Sequence, residues 1–266
     1  MTTRILFLGN SHLAALRQAH AASPGRWPGI AATFLGAHKD LLLQTELRQG
    51  RLVPVTPQAQ QAFQRLAQVA DVDVAGQDLI VITGCMVAVA SAATAARDMR
   101  WPGLPSLANC ADLAAMPARL VSRAAACATV QAVLARRLGP ELARHLHAQG
   151  AAPPIWLTCQ PRVSAVIHAA PRPATRALSE ALATGNAAGL SALFETAARR
   201  AMADAGAEYL PQPPHTITHH ILTALPYVQG AIRLAERPDL AQPEDDVLHA
   251  NAAYGAAVLD QIAARL

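Results

Sequence analysis

The run Ile5-Leu6-Phe7-Leu8 has no polar break, and it feeds directly into the small-residue turn Gly9-Asn10-Ser11-His12. An apolar run this short, closed by a turn, reads as a strand covered on both faces, which is the habit of parallel sheets. Helical spacing over 13–22 follows at once. A strand, a tight turn and a helix in that order commit the chain to an α/β architecture. Further strands are expected at 30–35, at 78–83 (Asp-Leu-Ile-Val-Ile-Thr, ended by Gly84), at 155–158 and at 208–210. Residues 47–55 alternate loosely around Gly50 and suggest a small hairpin.

Helical periods fill the intervals. They are expected at 58–69, at 116–138 continued by 140–149, at 186–205, and from about His249 to Leu266. In the last of these Ala250, Tyr254, Val258 and Ile262 repeat every four residues along one stripe. Pro211, Pro213 and Pro214 mark 210–215 as a surface loop. No internal repeat or linker is visible. The expectation is one doubly wound domain over 1–266, with a helical insertion at about 100–150.

The chain has 266 residues and a net charge of +4, with its arginines scattered and Lys39 the only lysine. Nucleic-acid binders concentrate basic charge on one face or in a tract, so this pattern argues against them. The longest apolar stretch, 79–93, falls short of the roughly 20 residues of a membrane span. The N-terminus lacks the charged, apolar and small-residue blocks of a secretion signal. A cytoplasmic protein is expected, with no nucleic-acid or membrane partner; the oligomeric state is left open. Cys85, Cys110, Cys127 and Cys159 form no Cys-x-x-Cys pair, so they read as small core residues and no metal is expected. His215, His219 and His220 lack a carboxylate or cysteine at ligand spacing and read as solvated loop residues. Trp27, Trp101 and Tyr227 suit either a pocket lining or core anchors.

Chemistry is concentrated at the two ends. Ser11 lies just beyond the first strand, where open α/β sheets place their sites. A serine hydroxyl is a weak nucleophile without a base, and the base needs a third group to fix its tautomer. Asp246 and His249, in Asp246-Val247-Leu248-His249, supply both types of group at a spacing that one turn brings together. Each half has a plainer reading. Ser11 could simply cap the helix over 13–22, and Asp245 or Asp246 could cap the final one.

Taken together, Gly9-Asn10-Ser11-His12 and Asp246-x-x-His249 resemble the first and last blocks of the SGNH (GDSL-type) hydrolase superfamily. The element order is similar over nearly the whole chain, and Leu157-Thr158-Cys159-Gln160-Pro161 resembles one of its strand-to-loop junctions. The resemblance implies a three-layer α/β/α, flavodoxin-like fold with about five parallel strands. It also implies Ser11 as nucleophile, His249 as base and then acid, and Asp246 as its orienting partner. No cofactor is implied. By the same resemblance the oxyanion hole is built from Ser11, Gly36 and Gly84, with an asparagine two residues after the last glycine. Met86 stands there instead. A thioether donates no hydrogen bond, and losing one such donor costs about 2.7–4 kcal/mol of transition-state stabilisation. His12 and His38 are the nearest substitutes by sequence.

The expected activity is a serine esterase that removes a small, acetyl-like O-acyl group from a carbohydrate or other polar ester. O-acyl transfer by the same triad, and a catalytically impaired binding protein on the same scaffold, are the alternatives. A nucleotide-binding domain is disfavoured, because the first turn lacks Gly-x-Gly-x-x-Gly and a phosphate-loop lysine.

Overall fold

The computed structural model describes residues 2–108, 110, 112, 118–235 and 240–266. Five strands form one sheet: β1 (Thr3–Gly9), β2 (Ile30–Gly36), β3 (Leu79–Gly84), β4 (Ile155–Cys159) and β5 (Glu208–Leu210). Their order is β5-β4-β3-β1-β2, and every pairing is parallel. This is the doubly wound order in which the chain reverses direction at β1 and β3.

The sheet is apolar on both faces because its strands alternate between two cores. Ile5 and Phe7 of β1, with Leu79 and Val81 of β3, pack on one side beside Leu13, Leu16, Tyr254 and Val258. Leu6, Leu8, Ile80 and Ile82 pack on the other beside Val130, Leu134, Leu193 and Phe194. Among the described residues five helices reach ten residues: α1 (Leu13–Ala22), α2 (Arg123–Ala135), α3 (Leu138–Ala148), α4 (Ala187–Ala203) and α5 (Ala252–Ala263). Helices α1 and α5 cover the first face as a tight pair. Gly255 of α5 lies against the backbone of Ala15, where any Cβ would collide. Helices α2 and α4 cover the second face. The result is a three-layer α/β/α fold, and among the described residues no helix is long and apolar enough to cross a membrane.

Several boundaries differ from the sequence reading for identifiable reasons. The final helix begins at Ala252, not His249, because Asn251 caps it: its side chain accepts from the N–H groups of Ala253 (3.0 Å) and Tyr254 (3.2 Å). The helical period over 116–149 is divided at Arg136-Arg137 into α2 and α3; Met116 lies outside the described residues. The stretch 58–69 is a short helix, Pro57–Ala62, and a widened turn, Phe63–Ala67, closed by Gln68 at φ 57°. The hairpin around Gly50 joins Thr45–Arg48 to Arg51–Pro54. Its two turn residues, Gln49 and Gly50, both have positive φ, as a two-residue hairpin loop requires.

The proline-rich stretch after β5 is not a plain surface loop. Gln212 within it is 2% exposed. Its side-chain Oε1 accepts from the Arg162 backbone N–H at 2.9 Å. Its amide donates to Thr216 Oγ1 at 2.9 Å and to Thr223 Oγ1 at 3.1 Å. The prolines shape a segment that this glutamine fastens inward.

Candidate active site

Ser11 follows β1 at the reversal point of the sheet, and its backbone carbonyl accepts from Ala14 N–H, in the first turn of α1, at 3.2 Å. Its side chain does not cap the helix. His12 occupies the cap position and its side chain makes no capping bond. The Ser11 hydroxyl is instead 2.9 Å from His249 Nε2, across 238 residues of sequence.

His249 reaches Ser11 from the loop before α5. The Asp246 carboxylate closes that loop on itself, with Oδ2 accepting the His249 backbone N–H at 2.9 Å and Oδ1 lying 3.0 Å from the ring Nδ1. An ionised carboxylate only accepts, so Nδ1 carries the hydrogen and Nε2 presents its lone pair to Ser11 Oγ–H. Burial pushes the Asp246 carboxyl up. The His249 side chain and backbone, and the Leu248 backbone N–H, outweigh that and hold it below the usual carboxylate range. It therefore stays charged at neutral pH. Both side chains are mostly covered, His249 at 18% and Asp246 at 14% exposure. Behind His249 the chain is pinned by Asn251, which donates from its side chain to the carbonyls of Pro226 (2.9 Å) and Gln229 (2.7 Å).

The turn after β3 lies beside this chain of hydrogen bonds. Gly84, Cys85 and Met86 all have positive φ (74°, 45° and 69°), three consecutive left-handed residues of which only the first is a glycine. Gly84 is required for space as well. A Cβ there would sit 2.9 Å from Asn10 Oδ1 and 3.0 Å from His12 Cβ. The same Asn10 Oδ1 accepts the His12 backbone N–H at 3.2 Å. Cys85 turns inward against the Asn10 backbone, and burial pushes its thiol up to about 12, so it is an uncharged core residue. Met86 is 46% exposed. The position expected to hold a donor asparagine is therefore on the surface. Gly36 ends β2 opposite Gly9, with Leu234 packed over its α-carbon.

His12 is the residue whose place the sequence did not disclose. It is 7% exposed and its ring stacks on that of His249, with centroids 4.8 Å apart and planes at 23°. Burial, and next the adjacent His249, push its pKa down to about 3, so the ring is neutral. His38 lies in an exposed turn after β2.

The other flagged residues are dispersed. His219 and His220 form the strained tip of a short hairpin at φ 46° and 63°, with His219 stacked on His168 at 4.2 Å. His215 packs edge-on against Tyr227. Trp27 is buried and donates to Asp260 at 2.8 Å, and Trp101 is buried in the core. Among the described residues no group of three or more metal-type side chains converges.

No protein-family model matches the sequence, and no curated protein matches it. Among solved structures a "putative arylesterase" from Agrobacterium tumefaciens str. C58 aligns with 100% of this chain and 98% of its own, at 14% identity and a TM-score of 0.36.

Proposed function

We propose that the protein is a serine esterase of the SGNH type, with Ser11 as nucleophile, His249 as base and acid, and Asp246 as the group that orients His249. The observation that carries this reading is the continuous chain Asp246 Oδ1, His249 Nδ1, His249 Nε2, Ser11 Oγ, with links of 3.0 and 2.9 Å. In the first half-reaction Ser11 Oγ attacks the acyl carbonyl while its proton passes to His249 Nε2. The imidazolium so formed is stabilised by the charged Asp246. Collapse of the tetrahedral adduct breaks the bond to the alcohol, which takes the proton from His249. Water, deprotonated by His249, then releases the acid and restores the serine.

The developing oxyanion would be met by the Ser11 backbone N–H at the start of α1, where the helix dipole favours negative charge. The backbones of Gly36 and of the turn at Gly84 are the other proposed donors. With Met86 at the expected asparagine position and solvent-exposed, that position adds no donor. A moderate rate on activated esters is therefore expected, and a small acetyl-like acyl group on a polar alcohol is the proposed substrate class. Exposed Met86 also favours a second reading, in which the scaffold binds an ester ligand and turns it over poorly. Hydrolysis of p-nitrophenyl acetate by wild type and Ser11→Ala tests both. Turnover lost in Ser11→Ala supports the esterase. A wild-type rate equal to that of Ser11→Ala supports the binding protein.

A further inference from the structure

We infer that His12 is a positioning residue for His249, holding the base in line between Asp246 and Ser11 by ring stacking. This rests on the reading of Ser11 as nucleophile.

The two atoms that fix His249 in the ring plane are Nδ1, bound to Asp246, and Nε2, bound to Ser11. Two in-plane hydrogen bonds leave the ring free to rock about the axis through them. A flat group against one face removes that freedom, and His12 is the group found there, 4.8 Å away and within 23° of parallel. Its own ring has no freedom to give. It is wedged between His249 and Gly84, whose missing Cβ would lie 3.0 Å from His12 Cβ and 3.2 Å from Cδ2. Its Nδ1 is buried and meets no partner. Packing, rather than hydrogen bonding, therefore holds the side chain.

Charge fits the same role. When His249 takes the serine proton, a protonated neighbour at stacking distance would oppose it. Burial keeps His12 uncharged, so the imidazolium forms against a neutral π face. Sequence position contributes as well. His12 is next to Ser11 and its backbone N–H is tied to Asn10, so nucleophile and stacking ring move together on the turn that leads into α1.

The test uses p-nitrophenyl acetate kinetics and the low-field Nδ1–H proton signal of His249 in wild type, His12→Ala and His12→Phe. Removing the ring should lower kcat by about 10- to 100-fold with KM changed less than about twofold, as a small misplacement of a catalytic group does. His12→Phe, flat but without ring nitrogens, should restore kcat to within about threefold of wild type. The proton signal should be sharp in wild type and His12→Phe and broadened in His12→Ala. A folded His12→Ala with wild-type kcat and a sharp signal overturns the role. So does a His12→Phe as impaired as His12→Ala, which would assign the effect to a ring nitrogen. Absence of turnover in wild type would instead remove the Ser11 reading, and the proton signal would still decide whether His12 orders His249.

Discussion

Two polar networks sit just beyond the C-terminal ends of parallel strands, and they are finished differently. Beyond β4, Arg162 and Gln212 form a buried knot. Gln212 is held by the Arg162 backbone and two threonines, Thr223 Oγ1 donates to the Arg162 carbonyl at 2.6 Å, and the Arg162 guanidinium meets Glu195 at 2.8 Å and the His220 carbonyl. Arg162 and Gln212 are 3% and 2% exposed. Beyond β1, the network of Asp246, His249 and Ser11 is a line rather than a knot. It ends on a hydroxyl, its members are partly open to solvent, and the imidazole in the middle can change its protonation state. A knot of this kind fastens loops. A line that ends on a movable proton can do chemistry. The difference lies in connectivity and accessibility.

The comparison can be broken at either end. The largest effect is expected from Asp246→Asn, which leaves the shape of the line but removes the acceptor that keeps the hydrogen on Nδ1. Fluorophosphonate labelling of Ser11 should slow by about 10³–10⁴-fold, as misassigning the tautomer does in serine hydrolases, with urea stability little changed. Labelling within tenfold of wild type would mean that the line is not functional. Gln212→Leu should do the reverse. Leaving the buried Arg162 backbone N–H unpaired, and removing the donor to two buried threonine hydroxyls that keep only their bonds to the Pro213 and Arg162 carbonyls, should cost about 3 kcal/mol in urea denaturation, while labelling per folded molecule is unaltered. A stability loss below about 1 kcal/mol would show that the knot is dispensable.

Acid offers a subtler distinction. His12 has its folded pKa depressed to about 3 against an ordinary 6.5, so the unfolded chain binds its proton first. The associated stability is present in full above pH 6.5 and is lost as pH falls toward 3. Between pH 7 and pH 4.5 that component amounts to about 2–3 kcal/mol. Denaturation curves of His12→Phe should therefore fall less steeply with acid than those of wild type, and parallel curves would contradict a buried neutral His12. Asn251→Ala should have the smallest effect. Loss of the cap costs about 1 kcal/mol of stability, and the loosened segment behind His249 should slow labelling severalfold. An unchanged labelling rate would show that Asn251 plays no part in placing His249.

These regions were unequally legible in the sequence. The centre of the sheet could be read because its strands are short apolar runs closed by a small residue, as at Leu8-Gly9 and Thr83-Gly84. Ser11, Asp246 and His249 could be picked out because their types and local spacing match a relay, although nothing local says that the two ends meet; the pairing of α1 with α5 supplies that. By sequence His12 offers only a substitute oxyanion donor, and its place against His249 could not be read. Its stacking depends on a loop more than two hundred residues away. The Gln212 knot was hidden for a similar reason. Prolines around it signal a turn, and only the packing of Arg162, Thr216 and Thr223 shows that the turn faces inward. His249 itself read as helical because the four-residue stripe includes Ala250, which is buried but precedes the cap at Asn251.

The proposed esterase chemistry requires that His249 activate Ser11. The direct measurement is intact mass after exposure to a fluorophosphonate, with wild type and Ser11→Ala side by side. A single adduct is expected on wild type and none on the folded variant. No adduct on well-folded wild type, or an equal adduct on both proteins, would contradict it.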